Sequence, residues 1–229
     1  MPSVSVLIRL YNGVEYLGDS LRSLLDQTFT DWELLIGVNG HGDDSNNTYK
    51  TARHTIDTMC TLEEQAKIRL INYPEVKGGA EAMNALAKDA KADWVAILDV
   101  DDMWDPEKLQ LQVDLRDPQS VMPDVIGTQC QYFGTMSGSP HIPVGFLDVS
   151  QFKAGNPMIN SSILMKKELL HCTDNFNLDD YDLWCRLILQ GKVFYNLQQI
   201  LTYHRINPTS HYNYSKKQDP DGLRRFYFP

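Results

Sequence analysis

The stretch Trp94-Val-Ala-Ile-Leu-Asp-Val-Asp-Asp-Met-Trp-Asp-Pro-Glu-Lys108 (WVAILDVDDMWDPEK) runs from an apolar segment straight into Asp99, Asp101 and Asp102. Trp94 to Leu98 reads as a short strand buried on both faces. Carboxylates at i and i+2 on the extended chain leaving such a strand can aim at one point, where their charges repel. A divalent cation relieves that repulsion, and oxygen-only ligation by few carboxylates suits Mg²⁺ or Mn²⁺ with substrate phosphates completing the shell. The competing reading is a solvated acidic loop in which Asp105 caps a helix that has Pro106 at its first position.

Upstream of this segment, strands and helices alternate. Val4 to Ile8 is a β-branched run, and after Asn12-Gly13 the apolar positions Val14, Leu17, Leu21, Leu24 and Leu25 take helical spacing. Trp32 to Val38 reads as a second strand, Asn46 to Met59 as a polar helix, Lys67 to Tyr73 as a third strand and Ala80 to Ala90 as a third helix. This order predicts a doubly wound α/β fold, a mostly parallel sheet with helices on both faces. Ligands of such sheets sit beyond the carboxyl ends of the strands. The polar segments Leu10-Tyr11-Asn12, Asn39 to Asp44 and Asp99 to Asp102 should therefore share one edge.

Beyond Asp124 the pattern loosens. Loops fill Gly134 to Pro157, Ser161 to Met165 is strand-like, Asp180 to Gln190 is a helix stopped by Gly191, and Val193 to Tyr195 and Ile200 to His204 are short strands. One domain is expected over residues 1–214, with a nucleotide-binding half at 1–104 and a looser half at 105–214. The tail 215–229 is polar, then aromatic, and carries no assigned element.

The formal charge of −9 disfavours attraction to nucleic acid or anionic lipid over the whole surface, so a polyanionic ligand must be met locally. Cys60, Cys130, Cys172 and Cys185 form no CxxC pair, and no His stands at zinc-finger spacing, so neither a disulfide framework nor a structural zinc is indicated. No signal peptide is visible, and no run approaches the roughly 20 apolar residues that span a bilayer. The expectation is a soluble, cytoplasmic protein with reduced thiols.

The Asp99 segment resembles the DxD region of the family 2 inverting glycosyltransferases. Other pieces of that pattern appear in order: Val4-Ser-Val-Leu-Ile-Arg-Leu-Tyr-Asn12, Leu25-Asp-Gln-Thr-Phe-Thr-Asp-Trp-Glu-Leu34, Lys77-Gly-Gly-Ala-Glu-Ala-Met-Asn84 and Asp179-Asp-Tyr-Asp-Leu-Trp184. The resemblance covers roughly residues 3 to 210. It implies a GT-A type fold with a smaller antiparallel, acceptor-side region over 105–214. The implied activity is metal-dependent transfer of a sugar from a nucleoside diphosphate, a UDP-sugar first, to a hydroxyl of a glycan or glycoconjugate. Family members often act on membrane-borne acceptors, which leaves room for peripheral association with the cytosolic face of a membrane.

Residue roles follow from the same resemblance. Asp101, with Asp99, would hold Mn²⁺ or Mg²⁺ against the donor diphosphate; Asp99 would also stand near the ribose, and Asp102 would be an alternative or supporting ligand. Asp180 would be the general base, against a reading in which Asp179 and Asp180 merely cap a helix. Leu10, Tyr11, Asn39, Gly79, Asn84 and Val100 would line the nucleotide site. Asn160, Ser161, Asp179 and Trp184, with Asp102, would line the sugar and acceptor pocket.

Several positions depart from the family pattern. Asn39 replaces a base-reading Asp, which puts uridine preference in question because an amide presents a different hydrogen-bonding edge. Met83 replaces an Arg, Asn207 stands in place of a His, and Arg9 replaces a small residue and could meet a phosphate or a carboxylate. His204 or Arg205 would then supply the missing phosphate contact. Two other readings compete: a degenerate sugar-nucleotide or glycan-binding module, and a sugar-phosphate nucleotidyltransferase, although Leu10 to Gly18 lacks a basic, Gly-rich phosphate loop.

Overall fold

A computed structural model of the chain describes residues 1–43, 46–116, 121–207 and 218–229. Asp44 of the polar segment, Pro208 to Ser210 and the start of the tail at 215–217 lie outside them. The described strands form one nine-stranded sheet in the order β3-β2-β1-β4-β8-β6-β9-β5, with β7 paired to β9. Its first half comprises β1 (Val4–Leu10), β2 (Trp32–Asn39), β3 (Ile68–Tyr73) and β4 (Trp94–Ile97), all parallel. Its second half comprises β5 (Met103–Trp104), β6 (Val125–Gly134), β7 (Gly145–Phe146), β8 (Leu164–Lys166) and β9 (Phe194–Ile206). There β8 runs antiparallel between β4 and β6, and β5 and β7 pair antiparallel with β9.

The two faces of the sheet explain why the first strands are apolar throughout. Side chains alternate along a strand. Val6, Ile8, Leu34 and Ile36 therefore face one layer, which holds Leu17, Leu21 and Leu24 of α1 (Leu17–Leu25) and Ile56 of α2 (Asn47–Met59). Leu7, Leu35, Val95 and Ile97 face the other, packed on Met83 and Leu86 of α4 (Gly79–Asp89) and Leu183 and Leu187 of α7 (Asp179–Leu189). Both faces are covered, as a mostly parallel sheet requires.

Short helices α3 (Leu62–Gln65), α5 (Lys108–Asp114) and α6 (Val149–Ala154) complete the chain with α8 (Pro220–Tyr227) in the tail. Three expectations change. The helix after the acidic segment starts at Lys108 rather than Pro106, because Asp105 closes a turn by accepting from the Glu107 amide at 3.0 Å. The two short terminal strands are one, β9, paired mostly with β6 in parallel and with irregular register near Gln129, so the second half is not purely antiparallel. The tail, unassigned from sequence, folds as α8 with Leu223 buried against Tyr181 and Cys185 of α7.

Candidate active site

The acidic segment leaves β4 and is tied down residue by residue. Both oxygens of Asp99 accept from Asn160 Nδ2, at 3.1 and 3.2 Å, and its amide donates to Ser161 Oγ at 3.1 Å. Asp102 is fully buried; it accepts from the Arg205 amide at 2.8 Å and faces His204 Nδ1 at 2.9 Å. Among the described residues, Asp101 between them takes one 3.1 Å bond on its side chain, from Asn207 Nδ2, while its carbonyl accepts from Arg205 Nε at 2.9 Å.

Electrostatics separate these carboxylates. Burial, with Asp102 and Asp99 adding repulsion, pushes Asp101 up to about 7. Burial likewise raises Asp99, against the opposing pull of Arg9. Burial opposes charge on His204, but its bond to Asp102 and the charges of Asp102, Asp99 and Asp101 together outweigh that and hold the imidazole up at about 9. Asp101 is thus a carboxylate whose charge burial and its acidic neighbours disfavour.

The donor set fits a hard divalent cation. Among the described residues no three His, Cys, Asp or Glu side chains converge as a closed metal cage. Asp102 is committed to β9, which leaves Asp101, with Asp99 beside it. Mg²⁺ and Mn²⁺ sites of this kind use one or two carboxylates and let substrate phosphates supply further oxygens. A crowded pair of partly desolvated carboxylates is the residue side of such a site.

Across the cleft, α7 opens with Asp179 and Asp180. Asp179 Oδ2 lies 2.5 Å from Arg9 Nη1, and Arg9 Nη2 lies 3.9 Å from Asp99 Oδ1. Arg9 on β1 therefore meets carboxylates, not an open phosphate site, and joins the acidic segment to α7. Asp180 turns elsewhere: Oδ2 accepts from Asn156 Nδ2 at 3.1 Å and Oδ1 from the Tyr181 amide at 2.6 Å. Burial and the charge of Asp179 raise Asp180 to about 6. Gly79 makes room for the bridge, since a Cβ there would come 2.9 Å from Arg9 Nη1 and 3.7 Å from Asp179 Oδ2.

Beyond the end of β1, Tyr11 is half exposed and stacks on His41, with centroids 4.9 Å apart and planes at 22°. Asn39 is buried at the end of β2.

Other expected site residues prove to be supports. Leu10 and Val100 have core side chains, so only their backbone remains for a ligand. Asn84 is spent on the backbone of Cys172, donating to its carbonyl at 2.9 Å and accepting from its amide at 2.8 Å. Ser161 is fully buried, and its carbonyl accepts from Trp104 Nε1 at 2.7 Å, so it holds the acidic segment instead of lining a pocket. Trp184 is fully buried against Phe194 and forms no acceptor wall. Arg205 lies over the rings of Tyr16 and Phe133 and pairs with Asp19 at 2.6 Å, so its guanidinium is already engaged. Asn156 and His41 were not singled out from sequence; both sit in loops with no periodic or motif signal.

The chain belongs to glycosyl transferase family 2, whose model matches residues 5–172. It is 26% identical over 236 residues to a putative glycosyltransferase, EpsE, of Bacillus subtilis, covering 99% of this chain and 77% of EpsE. It is 26% identical over 215 residues to WfaP of Escherichia coli, described as a UDP-Glc:alpha-D-GlcNAc-diphosphoundecaprenol beta-1,3-glucosyltransferase, covering 92% and 80%. The fold matches S. aureus TarS in complex with UDP-GlcNAc with a TM-score of 0.70 at 16% identity, over 93% of this chain and 61% of that one. It also matches the mannosyltransferase PcManGT from Pyrobaculum calidifontis in complex with GDP-Man and Mn²⁺, with a TM-score of 0.67 at 18% identity, over 92% and 59%. Across the first relatives the chain spans between 32% and 80% of their own length. Among the described residues no helix is long and apolar enough to cross a membrane.

Proposed function

We propose that the chain is a metal-dependent, inverting glycosyltransferase that moves a sugar from a nucleoside diphosphate, UDP first, to a hydroxyl of a glycan or glycoconjugate. The observation that carries this reading is the Arg9 bridge, which sets the acidic segment and the Asp179-Asp180 pair against one another across the edge of the sheet. Relatives that use UDP-Glc and neighbours that hold UDP-GlcNAc or GDP-Man support the donor class. WfaP's diphosphoundecaprenol substrate supports a lipid-linked acceptor met at the cytosolic face of a membrane.

Asp101, with Asp99, would hold the cation, which when bound supplies neutralising charge to the departing diphosphate. Asp99, fixed by Asn160 and Ser161, orients the ribose side of the donor. Asp180 takes the proton from the acceptor hydroxyl as that oxygen bonds to the anomeric carbon and the bond from that carbon to the diphosphate breaks. One displacement from the opposite face inverts the configuration. A carboxylate near 6 is ionised at neutral pH yet basic enough to accept that proton. Tyr11 and Asn39 face the base.

The test is release of nucleoside diphosphate from UDP-Glc, UDP-GlcNAc and GDP-Man with Mn²⁺, in wild type and Asp180→Asn. The expected result is turnover of at least one donor by wild type and its collapse in the variant with donor binding retained. A panel without turnover, or full activity in Asp180→Asn, would contradict the reading.

A further inference from the structure

Asp179 and Asp180 are consecutive carboxylates at the start of one helix, and two such groups do not ionise side by side without compensation. The structure divides them. Asp179 reaches across to β1 and pairs with Arg9, while Asp180 is held by Asn156 and its own helix. Arg9 is three-quarters buried and has the start of α4 shaped around it at Gly79.

We infer that Arg9 is a positioning residue that holds one oxygen of Asp179 toward β1 and cancels its charge, leaving Asp180 to act as the base; the other oxygen of Asp179 accepts from the Asp180 amide at 3.1 Å. The inference rests on the reading of Asp180 as that base. The titratable groups that face Asp180 are Asp179 on its own helix, Arg9 from β1, and the thiols of Cys172 and Cys185. Burial pushes both thiols up to about 12, so they stay neutral. Among the described residues, Asp179 and Arg9 are the charged groups that act most on Asp180, and they act in opposite directions.

Two substitutions therefore have opposite consequences. Arg9→Met leaves Asp179 an uncancelled anion beside the base, so the base holds its proton to higher pH. Asp179→Asn removes the repelling charge and leaves the cation, so the base gives up its proton at lower pH. Arg9→Lys keeps the charge.

The experiment is the pH profile of kcat/KM for nucleoside diphosphate release, using whichever of UDP-Glc, UDP-GlcNAc or GDP-Man the wild-type protein turns over with Mn²⁺. The acid limb should move up by about one pH unit in Arg9→Met and down in Asp179→Asn, the scale of a neighbouring charge. Arg9→Lys should keep the wild-type limb. Slower turnover in both variants with unmoved limbs, or limbs that move the same way, would overturn the inference. If Arg9→Met does not fold, Asp179→Asn and Arg9→Lys decide it alone: a fixed limb in the first or a shifted one in the second overturns it. Asp180→Asn separates the two ideas, because activity there removes the base itself, whereas an inactive Asp180→Asn beside unmoved limbs removes only the role of Arg9.

Discussion

Asp102 and His204, 102 positions apart in the chain, meet through a single 2.9 Å contact that fastens the acidic segment to β9. Asp102 is fully buried and also takes the Arg205 amide at 2.8 Å. The carboxylate run is therefore anchored at both ends, by Asn160 and Ser161 on Asp99 and by β9 on Asp102, while Asp101 takes a 3.1 Å bond from Asn207.

That contact makes stability depend on pH. His204 is raised from 6.5 to about 9, so the folded state binds the proton more tightly than the unfolded one. The pair's contribution is complete below about 6.5 and fades as pH rises through about 9. In metal-free buffer, the difference in urea midpoint between wild type and His204→Gln should be largest at acidic pH and shrink across that window. A difference that grows with pH would contradict the pairing.

Asn84 should behave as a brace. Asn84→Ala loses both bonds to the Cys172 backbone and should cost about 2 kcal/mol by denaturant unfolding. UDP affinity by calorimetry should stay at the wild-type value at temperatures where the variant is folded. A selective loss of UDP binding would return Asn84 to the nucleotide site.

The tail should support α7. Tyr227 donates to buried Asp182 at 2.7 Å, and Asp182 also takes Thr173 Oγ1 at 2.7 Å and Arg186 Nε at 2.9 Å. Phe226 lies against Phe176, which has a left-handed backbone at φ 58° just ahead of the Asp179-Asp180 pair. Tyr227→Phe should cost about 1.5 kcal/mol, lowering Tm by about 4 °C. An unchanged Tm would show that the remaining donors, Thr173, Arg186 and Asn175, suffice.

The sequence made the first half legible because its information is periodic. Apolar runs such as Trp32 to Val38 specify strands buried on both faces, and Leu17, Leu21 and Leu24 specify the face α1 buries. The acidic segment and the Asp179-Asp180 pair were also visible, being unusual charge at element ends. What escaped was long-range pairing. Nothing local says that Asn84 spends its amide on Cys172, that Arg9 reaches Asp179, or that Trp184, on the same helix as Asp180, points into the core. The tail was opaque for a similar reason: among its described residues only Leu223 is buried, and its site lies on α7.

Under the proposed function, Asp101 carries a charge meant for a cation bridged to a diphosphate. The direct measurement is the Kd of UDP by calorimetry for wild type and Asp101→Ala, each with Mn²⁺ and with EDTA. Wild type should bind at least about tenfold more tightly with Mn²⁺ than with EDTA, about 1.4 kcal/mol, and Asp101→Ala should lose that gain. Equal affinity under all four conditions would contradict the account.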